Sequence, residues 1–277
     1  MKPLEQKTTD TSFWDARRGR IFTSKGGWVI GEAIYNHGYS MMDDLLGKAS
    51  FFQVLVLNVT GRLPEKKVAD WLEALFICLS WPDARIWCNQ IGSLAGSMRS
   101  STVAAVSSGI LASDSKLYGP GTLPAATKFI TCALSKRKTG LSVEEVIAEQ
   151  PKRKTDSVPI IVGYARPIAS GDERITAMER VTLRLGFEIG EHLSLAYDVE
   201  KTLIEKYSEG MNLAGYCAAF LSDQGYTGEE IYRLCSGWVN AGVHACYAES
   251  ADNAAESFFP LRCDDIEYQG KKPRPTP

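Results

Sequence analysis

The stretch from Cys88 to Ser113 constrains the fold of this 277-residue chain more than any other segment. It is crowded with glycine, alanine and serine, and small side chains on a helix let another backbone approach closely. The stretch therefore predicts a central, tightly packed helix at a subunit contact. Its apolar part, residues 100–112, is shorter than the ~20 residues that a helical membrane span needs.

Helical spacing dominates the rest of the sequence. After Pro64, apolar residues recur at the positions that share one helix face, and Trp81-Pro82 ends this pattern. Two helix starts carry predicted capping boxes, at Ser142 and at Thr227. Because strand-forming runs are confined to residues near 28–34 and to 158–162, we expect a mostly α fold.

Composition excludes several classes of protein. A net charge of −2 gives no general attraction to nucleic acid or to a membrane surface. The seven cysteines have no Cys-x-x-Cys spacing and no companion histidine, so we expect reduced thiols and no metal site. The polar N-terminus lacks the apolar core of a signal peptide, and the expected location is the cytoplasm.

A ligand-facing loop is predicted between Val158 and Arg174. A β-branched run ends at Gly163, and a turn at Gly171 then precedes a helical pattern. The charged residues of this loop are Arg166, Asp172 and Arg174. Arginine forks bind carboxylates or phosphates, and the three residues are the candidate substrate-binding set. The other interpretation is that Arg174 only pairs with Asp172 at the start of a helix.

Two Lys-Arg-Lys-Thr runs flank the helix that begins after Ser142, at residues 136–139 and 152–155. Solvated basic loops are the first interpretation. The second is a docking patch for the phosphates of an acyl carrier such as CoA, with Lys152, Arg153 and Lys154 as its residues.

Ser50-Phe-Phe is followed by Thr-Gly-Arg-Leu-Pro ending at Pro64, and the later loop carries Arg166, Asp172 and Arg174. These motifs resemble those of the citrate synthase and citryl-CoA lyase superfamily, including the citrate-synthase-like module of ATP-citrate lyase. The first resembles its most specific signature, and the three loop residues match its Gly-x-Gly-His-Arg and Asp-Pro-Arg motifs.

The resemblance implies a single citrate-synthase-like unit over residues 1–277. Within it we expect a large helical domain of residues 13–122 and 227–268 and a smaller helical subdomain of residues 123–226. Residues 1–12 and 269–277 are polar or proline-rich, and we expect them to be disordered.

The catalytic positions of that superfamily are substituted here. The histidine of its Gly-His-Arg motif corresponds to Ala165, and the carboxylate of its Asn-Val-Asp-Gly motif corresponds to Ala214. Each general acid or base typically contributes ~10²–10⁴-fold to rate, so the usual condensation and cleavage are not expected. Tyr118 and Tyr164 offer hydroxyls near the vacated places and are the candidate catalytic residues.

Three functions remain open from the sequence. The first is a divergent enzyme, a carbon–carbon lyase, condensing or cyclising enzyme acting on an acyl-CoA thioester or a polycarboxylate. The second is an inactive subunit that pairs with an active paralogue, and the third is a citrate or acyl-CoA binding protein. We expect no separate cofactor, since CoA would enter as part of the substrate, and we expect a homodimer or a heterodimer.

Overall fold

The computed structural model describes residues 10–166 and 171–276, and the chain divides into two compact units, Met1–Ala69 and Asp70–Pro277. Residues 167–170 of the predicted ligand loop lie outside the described residues. Helices dominate this part of the chain, so the predicted mostly α class is confirmed.

The first unit contains a small antiparallel sheet between short helices. After α1 (Ser12–Asp15), the strands β1 (Gly26–Val29), β2 (Ala33–Asn36) and β3 (Tyr39–Ser40) pair in chain order. A single π-helical turn, Met41–Leu45, and α2 (Phe51–Thr60) follow. Side chains on β1 are exposed, including Trp28 at 69%.

Helix α3 (Lys66–Leu79) begins in the first unit and ends in the second. The remaining helices are α4 (Trp87–Ser97), α5 (Thr102–Ser113), α6 (Leu123–Lys138), α7 (Val143–Ala148), α8 (Glu173–Arg184), α9 (Glu191–Tyr207), α10 (Leu213–Asp223), α11 (Gly228–Cys235) and α12 (Asn240–Asp252). Short 3₁₀ turns lie at Gly119–Thr122 and Cys263–Asp265. Among the described helices, none is long and apolar enough to cross a membrane.

Local signals placed several helix starts correctly. The capping boxes at Ser142 and Thr227 are both formed, each through a glutamate three residues later. The predicted strand at Val158–Val162 is wrong, because this segment makes only one isolated bridge, Lys152 with Pro159. The first basic run is also no loop: Lys136, Arg137 and Lys138 form the last turn of α6, where positive charge suits the helix dipole.

The small-residue stretch forms two helices, α4 and α5, and the prediction of one helix is wrong. Arg99 adopts a left-handed conformation (φ 59°), and the Ser101 side chain caps the new helix by accepting from the Ala104 amide.

The predicted close approach of another backbone to the small-residue stretch is made inside the chain. A Cβ on Gly92 would lie 2.8 Å from the carbonyl of Val243 on α12, and one on Gly96 would overlap the carbonyl of Tyr247.

Gly96→Leu should therefore lower the stability of the chain itself. The side chain would overlap backbone atoms of α12 that cannot move aside singly, and overpacking of this kind typically costs ~1–3 kcal/mol. Ala104→Leu, on the exposed face of α5, is the matched control and should change stability little. Urea unfolding followed by circular dichroism measures both, and equal midpoints would show that this packing is not tight.

The core of the second unit joins α3 to the helices that carry the candidate site. Trp71 stacks on Phe220 of α10, with 4.1 Å between the ring centroids. Its indole nitrogen donates to the Thr182 hydroxyl of α8 at 2.8 Å, and Thr182 is 2.8 Å from the Tyr216 hydroxyl. All four side chains are buried. This contact fixes α8 and α10 side by side through a hydrogen-bonded polar centre.

The predicted domains, residues 13–122 with 227–268 and residues 123–226, stay a prediction. The same holds for the disorder expected at residues 1–12 and 269–277, of which residues 1–9 and 277 lie outside the described residues.

Candidate functional site

A pocket of about 220 Å³ opens on the second unit. One wall is the segment Pro159–Ala165, and another is the loop after α5, with Lys116 and Thr122. Arg153, Glu209, Asn212 and Ala214 complete the lining. Ala165 and Ala214, the two alanines that motif spacing matches to catalytic positions, both line this pocket.

Hydrogen bonds between two loops hold Ala165 in place. Its amide donates to the Gly210 carbonyl at 2.8 Å, and its carbonyl accepts from the Asn212 side chain at 2.9 Å. The backbone amide of Asn212 in turn donates to the Gly163 carbonyl at 2.9 Å. Ala165 is left-handed (φ 73°), a conformation that costs a non-glycine residue ~1–3 kcal/mol unless its surroundings enforce it. These bonds enforce it.

The start of α10 crosses the same loop at very short range. A Cβ on Gly215 would overlap the Gly163 carbonyl, so both positions require glycine for this approach. Asn212 caps the helix, because its side-chain oxygen accepts from the amides of Ala214 and Gly215 at 3.0 and 3.3 Å. The crossing places Ala214 in the first turn of α10, beside the loop that carries Ala165.

The three predicted substrate-binding residues form a cluster that is not part of the pocket lining. The buried Asp172 carboxylate accepts from Arg174 Nε at 2.8 Å and Nη2 at 2.7 Å. Arg166 lies 3.6 Å from Asp172 and makes its closer ion pair, at 2.5 Å, with Glu173. Asp172 also accepts from the Leu213 amide at 3.0 Å, so the cluster is tied to the start of α10.

Opposing influences set the pKa of Asp172. Burial, the largest of them, raises the pKa, whereas hydrogen bonds from Arg174, its charge and the backbone amides of Leu213 and Arg174 lower it. The net result is a pKa below the ordinary value of an aspartate. Asp172 is therefore ionised at neutral pH and holds Arg174 as a bidentate pair, the helix-start pairing that the sequence left open beside a ligand role.

The two candidate catalytic tyrosines have different surroundings. The Tyr164 hydroxyl is buried and donates to the Ala196 carbonyl at 3.1 Å, which is a packing role and does not support catalytic use. Tyr118 is half-buried, 3.9 Å from the Cys88 thiol, and its ring meets Trp87 edge-on with centroids 4.6 Å apart. Burial, with the Cys88 thiol adding to it, raises the pKa of Tyr118, so its hydroxyl stays protonated at neutral pH and can donate a hydrogen bond.

The basic candidates differ in their position. Arg153 lines the pocket, and it is paired with Glu209 and, through Nε at 3.2 Å, with Asp156. Lys152 and Lys154 are exposed, and neither belongs to the pocket lining. No group of three or more histidine, cysteine, aspartate or glutamate side chains that could hold a metal exists within residues 10–166 and 171–276.

Sequence reasoning missed several pocket residues. Lys116, Thr122 and Glu209 sit in loops, where no periodic pattern marks them. Asn212 had a usable signal, since an asparagine directly before an apolar helical run is a typical N-cap.

Neither the protein-family models nor the curated protein sequences contain a match for this chain. Solved structures do match. The chain is 25% identical to citryl-CoA lyase from Hydrogenobacter thermophilus, with a TM-score of 0.76 over 93% of this chain and 97% of that one. This chain has the fold of the citrate synthase and citryl-CoA lyase superfamily.

Two further structures support the superfamily fold. An ATP citrate lyase from Methanothrix soehngenii, solved in complex with citrate and coenzyme A, matches at 18% identity and a TM-score of 0.72; the match covers 98% of this chain but 46% of that one. A citrate synthase from Thermotoga maritima matches at 16% identity and a TM-score of 0.56, over 82% of this chain and 60% of that one. The resemblance expected from the motifs is thus confirmed for the superfamily.

Proposed function

We propose that the protein is a divergent member of this superfamily that binds an acyl-CoA thioester or a polycarboxylate in the pocket. It would act there as a carbon–carbon lyase, condensing or cyclising enzyme. The observation that carries the proposal is that Ala165 and Ala214, which match the superfamily's catalytic positions by motif spacing, line one pocket with the cations Lys116 and Arg153. Anionic groups of the ligand suit these cations, and the alanines give the acyl portion an uncharged wall.

Arg174, which lies outside the pocket lining but is tied through Asp172 to the start of α10, is the proposed second contact for the ligand, with Arg166 beside it. Asp172 uses Nε and Nη2 of Arg174, and among the described residues no hydrogen bond uses its Nη1. The side chain keeps 25% of its surface exposed, so a ligand carboxylate can add to the pair without displacing Asp172. Tyr118 is the proposed hydrogen-bond donor, because it directly follows the pocket residues Lys116 and Leu117 and its raised pKa keeps the hydroxyl protonated.

Calorimetric titration with citrate, oxaloacetate, acetyl-CoA and CoA tests the proposal. We expect at least one of them to bind, and Arg174→Lys to weaken that binding about tenfold, because a lysine cannot make the bidentate pair and still offer a planar N–H edge. Arg184→Lys, an exposed position in the last turn of the same helix, is the control and should leave affinity unchanged. Equal affinities for wild type, Arg174→Lys and Arg184→Lys would show that Arg174 is not part of the ligand site.

The alternative function, an inactive subunit paired with an active paralogue, is favoured by a different observation. Leu94 on α4 and Val103 and Leu111 on α5 expose 50%, 77% and 75% of their surface. The helices α4 and α5 pack against each other, and large apolar side chains exposed on neighbouring helices suit an interaction surface. A citrate or acyl-CoA binding protein without turnover is the third possibility. We propose a homodimer or heterodimer in each case, a cytoplasmic location, and CoA as part of the substrate with no separate cofactor.

Light scattering separates the assembly options. A mass of two chains for the purified protein supports a homodimer, whereas a single chain that doubles its mass only with a paralogue supports the partner-subunit function.

A further inference from the structure

The ion pair between Arg153 and Glu209 lies in the pocket wall. Both residues line the pocket, and Arg153 Nη2 donates to a Glu209 carboxylate oxygen. The glutamate is the more enclosed partner, with 16% of its side chain exposed against 41% for Arg153. Asp156 takes the Nε edge of the guanidinium at 3.2 Å. The main cation on this side of the pocket is therefore already engaged by carboxylates of the chain.

The backbone fixes both members of the pair. The Arg153 amide donates to the Val158 carbonyl at 2.8 Å, and its carbonyl accepts from the Ser157 amide at 3.0 Å. Glu209 follows Ser208, which ends α9 in the left-handed conformation (φ 57°). The next residue, Gly210, is the one whose carbonyl accepts from Ala165. Glu209 thus connects the cation of the pocket to the loop that holds Ala165.

Asp156 occupies Nε of Arg153 and Glu209 occupies Nη2, whereas no hydrogen bond among the described residues uses Nη1. An anion that binds Arg153 through two parallel N–H groups must therefore take Nη2 from Glu209, and the charge of Glu209 opposes an anion at Nη1 alone. We infer that Arg153 is the anion-binding residue of the pocket and that Glu209 is a built-in competitor for it. The ligand group is an anionic oxygen group, a phosphate or a carboxylate. The inference rests on the proposed function, because it concerns the same pocket and the same ligands.

The experiment compares wild-type protein, Glu209→Gln, Arg153→Gln and the double variant by calorimetric titration. CoA serves as the phosphate-bearing probe and citrate as the probe with carboxylates alone. Glu209→Gln should raise affinity for the probe that uses Arg153 about tenfold, because glutamine keeps the size but loses the charge. Arg153→Gln should weaken binding, and adding Glu209→Gln to it should give no further gain.

Two controls separate competition from other effects. Glu205→Gln, at an exposed position of α9, changes the net charge equally and should leave affinity unchanged. The temperature of thermal unfolding should change little in Glu209→Gln and Arg153→Gln, since the Arg153 side chain is 41% exposed and solvent screens the pair.

Each outcome decides something different. A gain in Glu209→Gln that disappears without Arg153 supports the inference, and the probe that shows it identifies the anion. The inference is overturned by an affinity that stays the same or falls in Glu209→Gln, or by a gain that persists without Arg153. Wild-type binding with such a result leaves the proposed function standing. Failure of both probes to bind any of the four proteins overturns the inference, and the proposed function falls as well if oxaloacetate and acetyl-CoA also fail to bind the wild type.

Discussion

Purified protein mixed with acetyl-CoA and oxaloacetate, or with citryl-CoA, should form or cleave the carbon–carbon bond no faster than a protein-free control. An alanine methyl group neither abstracts a proton from a thioester nor donates a hydrogen bond to a developing enolate. General acid and base groups each typically contribute ~10²–10⁴-fold, and both positions in this pocket, Ala165 and Ala214, lack them. A thiol-release assay measures the rate, and ordinary turnover would show that other residues perform the chemistry.

The double variant Ala165→His with Ala214→Asp should recover activity by several orders of magnitude if the surrounding scaffold is intact. The backbone accepts both residues: histidine is among the residues enriched at positive φ, which Ala165 adopts, and an aspartate is favourable in the first turn of α10. Each single variant is the matched control and should remain far less active. A folded double variant that binds substrate without turnover would place the divergence elsewhere in the pocket.

Local sequence signals predicted those structural features that depend only on residues close together in the chain. Capping boxes and the apolar face of α3 require only a few positions along one helix, and Trp71 and Leu72 are buried as that face predicts. The break between α4 and α5 was not predictable in this way, because it follows from the left-handed Arg99. The contact of Gly96 with α12 was also missed, since α12 lies far along the chain.

In the candidate site, too, some features were predictable from the sequence and others depend on contacts between distant segments. Motif spacing singled out Ala165 and Ala214, and the folded chain places both in the lining of one pocket. Motif spacing did not give the direction of Tyr164, whose hydroxyl turns into the core toward α9. The ion pair of Arg153 with Glu209 joins two loops that are close only in the folded chain. The sequence pattern of neither loop predicts it.

Asp172→Asn should lower the free energy of unfolding by about 3 kcal/mol at neutral pH. The carboxylate is fully buried and bridges Arg174, Arg166 and the start of α10, so neutralising it leaves buried guanidinium charge without its partner. Breaking a buried ion pair typically costs ~3–5 kcal/mol, and the 25% exposure of Arg174 favours the lower end. Asp198→Asn, on an exposed face of α9, is the matched control and should change stability little. Urea unfolding at pH 7 gives both values.

The same variant tests whether charge is the cause. Because the pKa of Asp172 is lower in the folded protein than in the unfolded chain, its stabilising contribution is complete above the ordinary aspartate pKa, ~3.9, and is lost as the pH falls through the lower folded value. The stability difference between wild type and Asp172→Asn should therefore be constant from pH 7 to about 5 and should shrink as the pH falls below ~4, because a protonated aspartate resembles asparagine. A difference that stays the same down to pH 3 would mean that the shape of the side chain, not its charge, holds Arg174 and the start of α10 together.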